Sequence, residues 1–187
     1  MLVNAAVDHL GFPQVSSDDV VAVEMAIGHL RALGHQRIGM VLGPRDHIPS
    51  RRKLDAFMAS PEADPELVEH TMFSLEGGHA AATRLVKRGV TGIVCASDIL
   101  ALGAVRRAGL QVPDDVSVIG YDDSAMMNCT DPPLTTVRQP IDAMGRAAVD
   151  MLVALIERAA VPADELLFEP ELVVRASTAR LTSPAKV

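Results

Sequence analysis

The stretch Gly92-Ile93-Val94-Cys95-Ala96-Ser97-Asp98-Ile99-Leu100-Ala101-Leu102-Gly103-Ala104-Val105-Arg106-Arg107-Ala108-Gly109 decides the fold. Ile93–Ala96 is a short, wholly apolar run, as expected of a strand buried on both faces. Two polar residues, Ser97 and Asp98, follow at once. Ile99–Ala108 is then helical in composition and ends at a glycine. The same strand, polar tip and helix recur on either side. Ile38–Leu42 is followed by the run Pro44–His47 and a short helix, Ser50–Ala59. Leu67–Met72 is closed by Phe73 and followed by a helix over Gly78–Arg88, which stops at Gly89. Val116–Tyr121 is followed by Asp122, and near the start Ala5–Val7 is followed by Asp8. Ahead of Ile38, Val20–Leu33 has Val20, Val23, Ile27 and Leu30 at helical spacing and stops at Gly34. Such repeated units predict an α/β fold, a parallel sheet with helices on both faces. The carboxyl ends of parallel strands converge on one crevice, so the polar tips are expected to line a single cleft suited to a small polyhydroxylated molecule.

After Cys129–Pro133 the pattern changes, because Pro132 and Pro133 end any regular element. Leu134–Val137 is short and β-rich. Ile141–Glu157 is a long amphipathic helix with Met144, Ala148, Met151, Leu152 and Leu155 on one stripe. Leu166–Phe168 and Leu172–Val174 are expected to form one broken strand before a polar tail. One helix between two extended segments suggests a chain that leaves one lobe, adds a helix to another and returns.

The bulk properties narrow the function. A chain of 187 residues, 49% hydrophobic, supports a sizeable core, and no stretch is long or apolar enough to span a membrane. The formal charge of −7, with dispersed basic residues, argues against this chain gripping nucleic acid by itself. Cys95 falls in a buried strand and Cys129 in a loop without C-x-x-C pairing, so no disulfide framework is expected and a reducing, cytoplasmic setting fits. The six histidines show no metal-ligand spacing, and P-loop, G-x-G-x-x-G and G-x-S-x-G signatures are lacking. Asp122 and Asp123 are neighbours on a turn, not carboxylates facing across a glycosidic bond. No catalytic residue, metal or cofactor is therefore assigned, and recognition is expected rather than catalysis.

Asp122, placed in an exposed turn, can accept two hydrogen bonds from adjacent hydroxyls, or can be a plain turn residue. Ser97 can point its hydroxyl into the crevice, whereas Asp98 is expected to cap the following helix. Phe73 offers an aromatic face to a sugar or base, with core filling as the alternative. Arg51, Arg52 and Lys53 read as solvated charge unless one reaches back over the crevice. His47 reads as a surface histidine or a ligand contact, and Asp8 as an acceptor from the opposite wall or a turn residue.

Five stretches then add up to a resemblance. Val15–Asp19 with His29–Ile38, Ala96–Gly103, Val112–Asp123, Pro133–Pro140 and Leu172–Thr178 resemble, in order, signature segments of the LacI/GalR family of bacterial transcriptional regulators. The resemblance implies a two-lobed fold of the periplasmic-binding-protein type, with a sugar-like effector between the lobes. It also implies a homodimer that meets operator DNA only through an N-terminal helix-turn-helix. The family's effector contacts, carried over by position, fall on Asp8, Lys53, Phe73, Ser97 and Asp122, with His47 and Pro49 in a contacting loop. Three positions depart from the family: Lys53 replaces an arginine, Ser97 an asparagine and Ala22 a glycine. Residues 1–17 are expected to be a remnant of the first lobe, 18–131 the second lobe, 132–165 a crossover with a first-lobe helix, and 166–187 a return strand and tail. The headpiece and most of the first lobe would precede this chain, leaving Ile141–Glu157 without its sheet and its stripe covered by another protomer or partly disordered. The alternatives are a solute-binding protein of a sugar transporter and, from a different class, a small sugar-active α/β enzyme.

Overall fold

The computed structural model describes residues 1–5, 12–106, 110–162 and 164–181. Two sheets organise them. The larger has six strands in the order β4-β3-β5-β6-β7-β9. In residues these are β3 (Ile38–Leu42), β4 (Val68–His70), β5 (Gly92–Cys95), β6 (Ser117–Asp122), β7 (Thr135–Arg138) and β9 (Glu171–Val173). All neighbours in it pair parallel except β7 and β9. The smaller sheet joins β1 (Leu2–Val3), β2 (Gln14–Ser17) and β8 (Glu165–Phe168), all parallel. The helices are α1 (Asp19–Ala32), α2 (Ile48–Met58), α3 (Leu75–Lys87), α4 (Asp98–Val105) and α5 (Ile141–Ile156).

Side-chain alternation sorts the core of the large sheet into two layers. Met40 and Leu42 of β3, with Val94, Ile119 and Tyr121, pack under Val23, Ile27 and Leu30 of α1 and Phe57 of α2. Val41, Ile93, Cys95 and Val118 point to the other face, against Ala81 and Leu85 of α3 and Leu100 and Ala104 of α4. The parallel, doubly covered sheet read from the apolar runs is thus observed. Local punctuation holds it in place. Asp18 caps α1 by accepting from the Val20 and Val21 amides at 3.0 and 3.1 Å, and Gly34 follows the last turn at φ +95°.

The ends of the predicted elements differ in several places. The segment expected as a strand to Met72 pairs only over Val68–His70, and Phe73 directly precedes Ser74, the cap of α3. Leu166–Phe168 and Leu172–Val174 are not one broken strand: β8 belongs to the small sheet and β9 to the large one, separated at Pro170. Nor does α5 lack a sheet. Met144 and Ala148 pack on Val15 of β2, with Met1, Met151 and Phe168 beside them. The first strand described is Leu2–Val3 rather than Ala5–Val7, most of which lies outside the described residues.

Strand order places the site. From β3 the chain goes to β4 on one side and then to β5 on the other. Loops leaving β3 and β5 therefore part above the sheet, and such a switch point is where open α/β folds take ligands.

Candidate functional site

A cleft of about 370 Å³ opens at that point. One wall comes from the loop after β3 and the start of α2, through His47, Pro49 and Lys53, with Phe73 beside it. The other comes from Ala96, Ser97 and Ile99 at the β5–α4 junction and from Tyr121 and Asp122 at the end of β6. Asn4, just after β1, and Gln139, just after β7, bring in the crossing segments, and Asp19 at the start of α1 closes the floor. Of the residues singled out from sequence, His47, Lys53, Phe73, Ser97 and Asp122 thus meet in one cleft. Asp8 lies outside the described residues.

The floor is ionic. Lys53 and Asp19 are 4% and 6% exposed and form an ion pair, so Lys53 is not the solvated charge that the run Arg51–Lys53 suggests. The Lys53 ammonium stands 3.9 Å from the centroid of the Tyr121 ring, a cation–π contact that desolvation strengthens. The Tyr121 hydroxyl lies 3.2 Å from Asp19 Oδ1 and 3.3 Å from Ser17 Oγ. Burial, with Asp19 adding to it, pushes the Tyr121 phenol upward, so the hydroxyl remains a donor. Arg52 turns the other way and grips Glu165 of β8 through two contacts of 2.7 Å.

Asp122 is the half-buried last residue of β6, at φ +112°, not part of an exposed turn. Its Oδ1 accepts from the Gln139 amide at 2.7 Å, and Gln139 Oε1 accepts from Asn4 at 2.9 Å. Asn4 in turn accepts from the Ser17 amide at 3.0 Å, so a polar chain runs from the cleft into the small sheet. Burial pushes the Asp122 carboxyl up to about 6, against the pull of the Gln139 donor. Asp123 points away to Arg138 and Arg175, each at 2.7 Å.

Ser97 lines the cleft as expected, but the capping role expected of Asp98 falls to it as well. Ser97 caps α4, its hydroxyl accepting from the Leu100 amide at 3.3 Å, while it lines the cleft. Asp98, 2% exposed, ties the strand tips together: Thr136 Oγ1 donates at 2.6 Å and the Ser124 amide and hydroxyl at 2.7 and 2.9 Å. Phe73 is held by an absence: a Cβ on Gly43 would lie 2.1 Å from its ring, so only glycine lets the ring cross the end of β3. His47 meets that ring edge-on at 5.3 Å and exchanges a 3.1 Å hydrogen bond with Ser50. Burial, with Lys53 nearby, lowers its pKa, so it is neutral near pH 7.

Sequence reasoning missed Asp19, Tyr121, Asn4 and Gln139 as site residues. A signal for Asp19 was present in the doubled Asp18-Asp19, of which only one can be the cap. Tyr121 is the single tyrosine, set at a strand end in a chain without tryptophan. Among the described residues no cluster of three His, Cys, Asp or Glu is placed to hold a metal ion. The geometry offers hydroxyl and amide donors, carboxylate acceptors and the Phe73 ring, and the Ser50–His47 pair at its edge keeps the Ser50 hydroxyl buried and off the cleft lining.

Residues 27–178 match the periplasmic binding protein-like domain. The chain belongs to that family. Members of it similar to this chain include an uncharacterized HTH-type transcriptional regulator from Streptomyces limosus, 50% identical over 96% of this chain and 54% of its own length. The HTH-type transcriptional regulator MalR of Streptomyces coelicolor is 47% identical over 96% of this chain and 56% of its own. The chain spans about half the length of the curated relatives it matches. Among solved structures, the transcriptional regulator CelR–cellobiose complex superposes with a TM-score of 0.85 at 32% identity, over 94% of this chain and 58% of that one. A dimeric Lac repressor does so with a TM-score of 0.86 at 29% identity, over 96% and 69%. The periplasmic binding protein-like architecture and the LacI-type resemblance are thereby shown.

Proposed function

We propose that this chain is the effector-sensing part of a DNA-binding transcriptional regulator, of repressor type, taking a small sugar-like molecule in the cleft between its two sheets. The observation that carries this is the convergence of Asn4, Lys53, Phe73, Ser97 and Asp122 at the switch point of a periplasmic binding protein-like fold. Asp122 and Ser97 would exchange hydrogen bonds with ring hydroxyls, and Phe73 would take a C–H face. His47 would close the loop side. Relatives named as transcriptional regulators support the regulatory reading, and the cellobiose bound to CelR supports the ligand class. They favour a regulator over a transporter's solute-binding protein. The Ser50 hydroxyl paired with His47 is buried off the cleft lining, which favours binding over turnover. On this reading residues 18–131 are mostly one lobe, α5 and the small sheet belong to the other, and the chain works in the cytoplasm as a homodimer. Operator contact would fall to a helix-turn-helix segment rather than to this domain. No helix among the described residues is long and apolar enough to cross a membrane.

Calorimetry and thermal shift with cellobiose, maltose and ribose test the reading. Stabilisation by a bound sugar grows with its concentration over its Kd, and Asp122→Ala is expected to abolish it. A shift left intact in that variant would remove Asp122 from the site. No response to any sugar, or turnover of one, would overturn the function.

A further inference from the structure

A lysine in a sugar cleft ordinarily invites anions, and here the floor is arranged against that. Lys53 is the only Lys or Arg among the described residues that line the cleft, and it is spent on Asp19. The pair is nearly solvent-free, and Tyr121 seals it from below with its ring and its hydroxyl. With Asp122 on the facing wall, two carboxylates stand against one ammonium. Drawing Lys53 away to meet a phosphate would leave Asp19 buried and unpaired, which is costly. Helix ends do not restore an anion site. The first turn of α2 contains Pro49, which has no amide hydrogen, and the first turn of α4 carries Asp98.

We propose that Asp19 is a specificity-determining residue: by holding Lys53 it makes the cleft accept uncharged polyols and refuse their phosphorylated counterparts. This rests on the cleft being a polyol site, and it adds the charge rule and the residue that sets it. It also explains a pattern that chain position alone leaves odd, a cation placed in the ligand space and pointed at a carboxylate. Asp19 acts through Lys53, so its loss should change which ligands bind rather than simply weaken all of them.

The chain carries its own probe. Tyr121 is the single tyrosine, there is no tryptophan, and the ring lies in the cleft, so intrinsic emission reports on this floor alone. The test titrates the unaltered chain and Asp19→Asn with inorganic phosphate, with glucose and glucose 6-phosphate, and with ribose and ribose 5-phosphate, at matched ionic strength in chloride. Emission and melting temperature are followed together. The unaltered chain is expected to show no saturable response to phosphate or to either sugar phosphate. Asp19→Asn is expected to gain saturable phosphate binding with a Kd at least about tenfold below the highest phosphate concentration at which the unaltered chain does not saturate, or 1.4 kcal/mol, and Asp19→Asn with Lys53→Met is expected to lose it. Saturable binding of a sugar phosphate to the unaltered chain as tightly as its neutral partner would overturn the proposal. So would Asp19→Asn that folds and gains no phosphate binding. If Asp19→Asn does not fold, Asp19→Ser carries the same arm, and the unaltered chain still decides against the proposal by binding a sugar phosphate. If no neutral sugar binds but Asp19→Asn takes phosphate, the charge rule stands and the sugar reading falls.

Discussion

Asp122 sets function against stability within one side chain. Burial raises its carboxyl from an ordinary 3.8 to about 6, so its ionisation near neutrality is a cost to the fold. Between those two values the unfolded chain binds fewer protons than the folded one, and stability falls as pH rises. The cost is therefore full above about 6, shrinks as the pH falls through that value, and is gone below the unfolded pKa of about 4. Asp122→Asn keeps an oxygen for the Gln139 donor and removes the charge. It is expected to raise stability by about 1–3 kcal/mol at pH 7.5, with the gap closing toward pH 4. Urea titrations at several pH values would check this, and a gap independent of pH would refute it. The same substitution removes a charged acceptor and should weaken a bound sugar by about 1.5–3 kcal/mol, measured by calorimetry at pH 7.5. Site residues at strand tips, such as Ser97 and Asp122, were legible because strand direction alone aims them at the crevice. Lys53 came only through the family resemblance, and its pairing with Asp19 was hidden. A charge run at a helix start looks solvated, and an aspartate there looks like a cap, until the neighbouring helix turns the two toward each other.

At the scale of elements, β3, β5 and β6 could be read almost to the residue, because a strand covered on both faces must be apolar throughout. The split between β8 and β9 could not. The partners that decide it, Val15 and Val137, lie far away in sequence, and the segments themselves are alike in composition. The packing of α3 on α4 was equally hidden. A Cβ on Gly103 would lie 2.2 Å from the Leu75 carbonyl oxygen, and one on Gly78 2.2 Å from that of Leu100. Neither backbone oxygen can swing aside as a side chain could, so the helices must part. Gly103→Ala is expected to cost about 1–3 kcal/mol through this overpacking, despite the gain in helix propensity. The urea midpoint should fall while the slope stays constant. A midpoint within error of the unaltered chain would show that the helices separate freely. Because Ser97 caps α4, the variant should also weaken sugar binding, which an alanine at the solvent-facing Gly145 of α5 should not.

Across the whole molecule the chain passes between the sheets after β2, after β7 and after β8, and side chains reinforce those crossings. Arg52 reaches from α2 to Glu165, and Gln139 links Asn4 to Asp122. A ligand seated on Asp122 and Ser97 thus touches groups answerable to both sheets, and it can shift their relative position only by binding one arrangement better than the other. Among the described residues the buried apolar cluster at the small sheet is Val15, Met144 and Ala148, whereas the outer side of α5 leaves Val149, Leu152, Val153 and Ile156 at 59%, 46%, 46% and 73% exposed. Leu166 and Leu167 of β8 are exposed as well. Apolar patches of this kind on a chain in solution draw partners, and on the homodimer reading the partner is a second copy. Leu152→Glu with Ile156→Glu is expected to leave the cleft and its sugar affinity unchanged, because neither residue lines it. The pair should lower binding of a hydrophobic dye and shift the chain toward monomer in sedimentation velocity. The intrinsic stability of the monomer should change by less than about 0.5 kcal/mol per site, as for surface positions generally. An unaltered chain that sediments as a monomer across the accessible concentration range and binds no dye would show that this face is content in water and would overturn the homodimer reading for this chain.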